Sequence, residues 1–136
     1  MQFEEFVGEV QNRARLGSQG AAMRAICATL ETLGERLHGE EAENLGAQLP
    51  LALAAYLRLA RRNETFGVQE FFERIAQREG QGIDLPDAAH HARVVIEVLQ
   101  EAVSSGQIAD ARAQLPEEYD ALFEAGSAGT MEVEAN

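Results

Sequence analysis

Four groupings of side chains have types and spacings that could do chemistry. Glu35-Arg36-Leu37-His38 has the Glu-x-x-His spacing that sets a carboxylate and an imidazole on one helix face, as carboxylate-bridged di-iron bundles do twice over. The matching later stretch, Glu101-Ala102-Val103-Ser104, has no histidine, so the ligand set stops short of a closed metal site. Asp87, His90 and His91 form the second grouping. His91 stands four residues after Asp87 and can pair with it on a helix, whereas adjacent histidines point about 100° apart and chelate poorly. Cys27 is the single cysteine. A nucleophilic thiol needs a base and an electropositive setting, and neither is visible around it. The fourth grouping is repeated: Glu31 and Glu35 recur as Glu97 and Glu101, and Arg13 recurs as Arg78. Like charges four apart cost a few tenths of a kcal/mol on a helix, so an arginine from a neighbouring helix is expected to bridge the glutamates within each half. Glu31, Glu35 and His38 lie off the apolar stripe of Ile26, Leu30, Leu33 and Leu37 and are expected to face water. These groupings yield no catalytic residue, no metal ligand and no cofactor.

The elements that position these groups are written twice. Shifted by 66 residues, 22–57 lies over 88–123, and the tetrapeptide Ala-Gln-Leu-Pro at 47–50 falls on the same four residues at 113–116. Ala22, Ile26, Leu30, Leu33 and Leu37 fall on Ala88, Ala92, Ile96, Leu99 and Val103, one helical stripe repeated. Shifted by 65, Phe3, Phe6, Val7 and Val10 fall on Val68, Phe71, Phe72 and Ile75. The chain is therefore expected to be all-α, with two four-helix halves, 1–65 and 66–125, related by a pseudo-twofold in one domain, and an acidic, flexible tail at 126–136. Helices are expected at 3–15, 19–38, 40–48 and 50–62, and again at 67–79, 86–104, 107–114 and 116–125. Ser18 suits an N-cap. Pro50, Pro86 and Pro116 suit first helical turns, where a missing N–H costs nothing. In this frame Ala-Gln-Leu-Pro is a corner between two helices, with Leu49 and Leu115 reaching towards Leu53 and Tyr119 like a hydrophobic staple.

Charge and composition narrow the function. The formal net charge is −12, and all eleven basic residues are arginine. Such a surface repels phosphate backbones and anionic lipid, which makes nucleic acid an unfavoured partner. A helix-turn-helix arrangement is a minor alternative, resting on Arg58, Arg61 and Arg62 with Arg13 or Arg15. The most apolar stretch, LPLALAAYLRLA, is too short and too interrupted by Arg58 to span a bilayer. One cysteine and an acidic start without a basic leader point to a reducing, cytoplasmic setting.

The stretches LETLGERLHGEEAENLGAQLP, FGVQEFFERIAQREG and VIEVLQEAVSSGQIADARAQLPEEYDALF resemble the bacterial proteins grouped as domain of unknown function 2267. The signature around the second Ala-Gln-Leu-Pro is complete at 113–123. The first copy has Leu51 and Ala52 where Glu117 and Glu118 stand. The resemblance implies an all-helical fold and no particular activity.

The residues themselves lead to a non-enzymatic interaction module for a protein partner or a second copy. The alternative is a small-molecule binder or enzyme with its site between the halves. The interaction surface is expected at Leu51, Tyr56 and Leu59 with Arg58, Arg61 and Arg62. A helix apolar on every side is usually buried on every side, so cover by the other half is the plainer expectation for Leu51 and Leu59. An open face there would be a ready interface.

Overall fold

Eight α-helices follow one another in the computed structural model, which describes residues 1–124. The expected tail at 126–136 lies outside the described residues. The helices are α1 Phe3–Arg13, α2 Gln19–Arg36, α3 Glu41–Gly46, α4 Leu51–Leu59, α5 Val68–Glu79, α6 Leu85–Ala102, α7 Ser105–Ala113 and α8 Asp120–Glu124. A turn of 3-10 helix at Glu117–Tyr119 leads into α8. No strand occurs among the described residues.

The two longest helices, α2 and α6, pack together at the centre. Around them, α1 and α5 each touch both, α4 lies on α2, α8 lies on α6, and α3 meets α7. The apolar stripes explain this arrangement. Ala22, Ile26, Leu30 and Leu33 of α2 and Ala88, Ala92, Ile96 and Leu99 of α6 are all buried, as are Phe6, Val7 and Val10 of α1 and Phe71, Phe72 and Ile75 of α5. Each large apolar side chain removed from water in this way contributes roughly 1.5–3 kcal/mol. Phe71 meets Tyr119 edge to face at 5.6 Å, a favoured aromatic geometry. At Gly34 the two backbones come together: a Cβ there would collide with the carbonyl of Leu57.

The helix ends are set by local chemistry. Ser18 Oγ accepts from the Ala21 N–H, Asp84 caps α6 through Asp87 N, and Ser104 caps α7 through Gln107 N. Pro50 and Pro116 stand just outside the helices they precede, and Pro86 is in the first turn of α6. Between α5 and α6 the chain turns through Gly80, Gln81 and Gly82, all with φ near +60 to +70, a region that glycine enters without strain.

The two Ala-Gln-Leu-Pro corners do more than turn the chain. The Gln48 side chain accepts from Ser104 N at 2.6 Å and donates to Ser104 Oγ at 3.4 Å, just past the end of α6. The Gln114 side chain accepts from His38 N at 2.8 Å and donates to His38 O at 3.0 Å, just past the end of α2. Gln48 therefore ties down the Ser104 backbone N–H and hydroxyl, and Gln114 both backbone groups of His38, in the links that follow α6 and α2.

Candidate functional site: the outer face of α4 and the clefts beside it

The nine residues of α4 divide cleanly by direction. Leu53, Ala54 and Leu57 are buried. Leu51, Ala52, Ala55, Tyr56 and Leu59 lie within about 140° of one another on the opposite side at 100° per residue, and none is buried. Leu51 is 79% exposed and Leu59 87% exposed, against at most 8% for every apolar residue of the core. The expected cover by the other half is not found at these two leucines among the described residues. The α4 side that meets α2 and α3 is already filled by Leu53, Ala54 and Leu57, so one helix layer leaves Leu51 and Leu59 outside.

The arginines expected to accompany this face are held by acids and backbone. Arg58 Nε lies 3.2 Å from Glu43, and Arg61 lies 3.8 Å from Glu43 and donates to the Gly39 carbonyl at 3.0 Å. Arg62, with its side chain 68% exposed, reaches Glu35 at 3.7 Å.

Beside the apolar face lies a cleft of about 270 Å³, lined by Glu31, Glu35, Ala55, Tyr56, Leu59 and Arg62 among others. Its floor is Glu35. The expectation that Glu35 faces water is corrected: its side chain is 8% exposed, because α5 packs on that side of α2 and brings arginines with it. Arg78 donates to both oxygens of Glu35, at 2.9 and 2.6 Å, and to Thr32 Oγ1 at 2.7 Å. Arg74 donates to Glu35 at 3.0 Å, is also held by Glu64 and Glu70, and stands 3.8 Å over the Phe66 ring. Burial pushes the Glu35 carboxyl up, but its hydrogen bonds to Arg78 and Arg74 and their charges outweigh this and hold it below the ordinary carboxylate value.

On the other side of the core, Arg13 donates twice to Glu101 at 2.7 Å and once to Glu97 at 2.9 Å, and is steadied by Glu9. The expected partners within each half are thus exchanged. Arg13 joins 1–65 to α6, and Arg78 joins α5 back to α2, although α1 and α5 each touch both central helices. Glu31 lines the cleft and is partly buried.

The histidines and the cysteine have partners of their own. His91 Nδ1 lies 2.9 and 3.0 Å from the two oxygens of Glu79, with both residues buried. The expected partner Asp87 is exposed at the start of α6. The α5–α6 turn delivers Glu79 to His91, and spacing within α6 gives no sign of it. His38 Nε2 lies 3.1 Å from the Glu64 carbonyl. Burial, and then the Arg93 charge, lower the His90 pKa. Burial raises that of Cys27, whose thiol meets the Tyr56 hydroxyl, and this lowers the thiolate fraction available for attack. Among the described residues, no three His, Cys, Asp or Glu side chains are grouped to hold a metal ion. No helix among them is long and apolar enough to cross a membrane.

No curated protein matches the chain. The family model described as "Uncharacterized conserved protein (DUF2267)" matches residues 3–122, from the start of α1 into α8. The chain belongs to that family.

Proposed function

We propose that this protein works by binding a partner protein through the outer face of α4, without catalysing a reaction. The observation that carries the proposal is the exposure of Leu51 and Leu59 at 79% and 87%, where the other large apolar side chains among the described residues, Met1 apart, are buried or partly buried. Ala52, Ala55 and Tyr56 join them into one uncharged strip. A contiguous apolar strip kept in water costs solubility without aiding the fold, and such strips mark interaction sites. The test is Leu51→Glu with Leu59→Glu. The variant is expected to keep its helical circular dichroism and melting temperature and to lose association. A variant that unfolds assigns the face to the core and removes the proposal.

A small-molecule site is the second reading, favoured by the cleft of about 270 Å³ next to α4. It falls just below the range of drug-sized pockets, and Glu35, Arg62 and Arg78 in its lining already pair with one another. Nucleic-acid binding has less support, since Arg58, Arg61 and Arg62 face Glu43 and Glu35 on a chain of net charge −12.

The halves 1–65 and 66–125 are proposed to be related by a pseudo-twofold. Three exchanges support this. Gln48 bonds Ser104 while Gln114 bonds His38, and both pairs of equivalents are 66 apart. Arg13 reaches Glu101 while Arg78 reaches Glu35. Gln107 donates to Glu41, its own equivalent, at 3.1 Å, as residues facing each other near such an axis would. A cytoplasmic setting remains a proposal resting on the lone Cys27.

A further inference from the structure

We propose that the cleft beside α4 binds a small organic monocation, an ammonium or guanidinium group on a short alkyl body, with Glu31 as its counter-charge. This rests on the small-molecule reading of that cleft and adds the class of ligand. Three arginines gather at the floor of the cleft. Arg62, Arg74 and Arg78 all reach Glu35, and Arg74 also holds Glu64 and Glu70. Three positive charges thus meet three carboxylates. Glu31, one helical turn before Glu35, adds a fourth carboxylate to the same lining. It is partly buried and forms no ion pair among the described residues, which include all eleven arginines of the chain. The cluster is left with one negative charge, in the wall of a cavity of about 270 Å³.

The repeated sequence explains why Glu31 is left over. Its counterpart 66 residues on is Glu97, which accepts from Arg13 at 2.9 Å. Arg78, the counterpart of Arg13, donates instead to Thr32 Oγ1 at 2.7 Å. Val98 stands at the position that matches Thr32 and has no acceptor to offer. The Thr32 hydroxyl therefore takes the contact that a glutamate takes on the other side of the core, and Glu31 keeps its charge unmatched. A carboxylate drawn partly out of water gains by taking a cation.

The rest of the lining decides which cation fits. The Glu31 charge lies near enough to the Tyr56 hydroxyl to raise its pKa, and the phenol oxygen is a second acceptor for an N–H donor. Ala55, Leu59 and Ala60 give the cleft an uncharged wall, which suits methylene groups. Calcium and magnesium take six or more oxygen ligands, and Glu31 with Tyr56 supplies far fewer while Glu35 is committed to its arginines. An anionic ligand would meet the unmatched carboxylate. The net charge of −12 also raises the local concentration of cations.

The test is an amide NMR titration of the full chain with n-butylammonium chloride, beside sodium butyrate and n-butanol, at constant ionic strength. Butylammonium should give saturable shifts at Glu31, Ala55, Tyr56, Leu59 and Ala60, and the other two probes should not. Glu31→Gln should weaken binding about tenfold or more. Glu73→Gln, which removes the same charge from an exposed position on α5, should leave it unchanged. Arg62→Ala, at a side chain 68% exposed, should tighten it about threefold by removing a competing cation from the lining. Equal weakening by Glu31→Gln and Glu73→Gln, or weakening by Arg62→Ala, would overturn the site. Butyrate or butanol bound in the cleft as tightly as butylammonium would overturn the ligand class and leave the small-molecule reading standing. If no probe shifts the lining residues, the cation site and the small-molecule reading fall together.

Discussion

Burial alone would raise the Glu35 pKa, and hydrogen bonds and charge from Arg78 and Arg74 outweigh it. The folded carboxyl sits below its ordinary value. Its stabilisation is therefore complete above the ordinary carboxylate range, near pH 4.3, and is lost as the pH falls through the lower folded value. Glu101 follows the same sign, held down first by its hydrogen bonds to Arg13. Glu35→Gln should cost about 1–3 kcal/mol at pH 7, and the gap from the native protein should narrow as the pH drops below 4. Urea unfolding at the two pH values reads this directly, and a gap that stays constant would remove Glu35 as a source of acid sensitivity. The repeated glutamates and arginines were legible in the sequence. Their exchange across the chain was not, because the local stripe on α2 says nothing of which helix arrives on its other side. For the same reason, spacing within α6 offered Asp87 to His91 and could not reveal Glu79.

At the scale of the element, the apolar stripes placed the helices: the first seven fall within three residues of the expected spans, and the eighth, expected from 116, begins at Asp120 behind a 3-10 turn at Glu117–Tyr119. Leu33 and Leu99 sit at the heart of α2 and α6, each 1% exposed. Truncating either to alanine should lower stability by about 2–5 kcal/mol; a loss below half a kcal/mol at both positions would mean that the stripe is not core. Gly34 was silent in the sequence. In an open helix Gly→Ala gains up to about 1 kcal/mol. Here the added methyl meets the Leu57 carbonyl, so Gly34→Ala should instead cost about 1–3 kcal/mol as α4 is pushed away. A thermal melt that rises in this variant would show that the close approach of α2 and α4 is not rigid. The Ala-Gln-Leu-Pro corner was legible as a turn. Its glutamines were not legible as clasps on distant helix ends, since Gln48 and Ser104 are 56 residues apart. Gln48→Ala and Gln114→Ala should each cost about 1 kcal/mol and add without coupling, because they close different helix ends; denaturant melts of the two single variants and the double variant check the sum.

For the molecule as a whole, the sequence showed that α4 is apolar on nearly every side, but periodicity cannot count the layers that will cover it. The fold buries Leu53, Ala54 and Leu57 and leaves Leu51 and Leu59 in water. That is the feature on which the proposed binding role rests. Sedimentation velocity of Leu51→Glu with Leu59→Glu beside the native protein tests it most directly, because one trace reports both compactness and association. A compact variant that has lost whatever association the native protein shows is the predicted result. An expanded, unfolded chain, or a variant that associates as strongly as a native protein that does associate, would contradict the proposed assignment of the α4 face as the working surface.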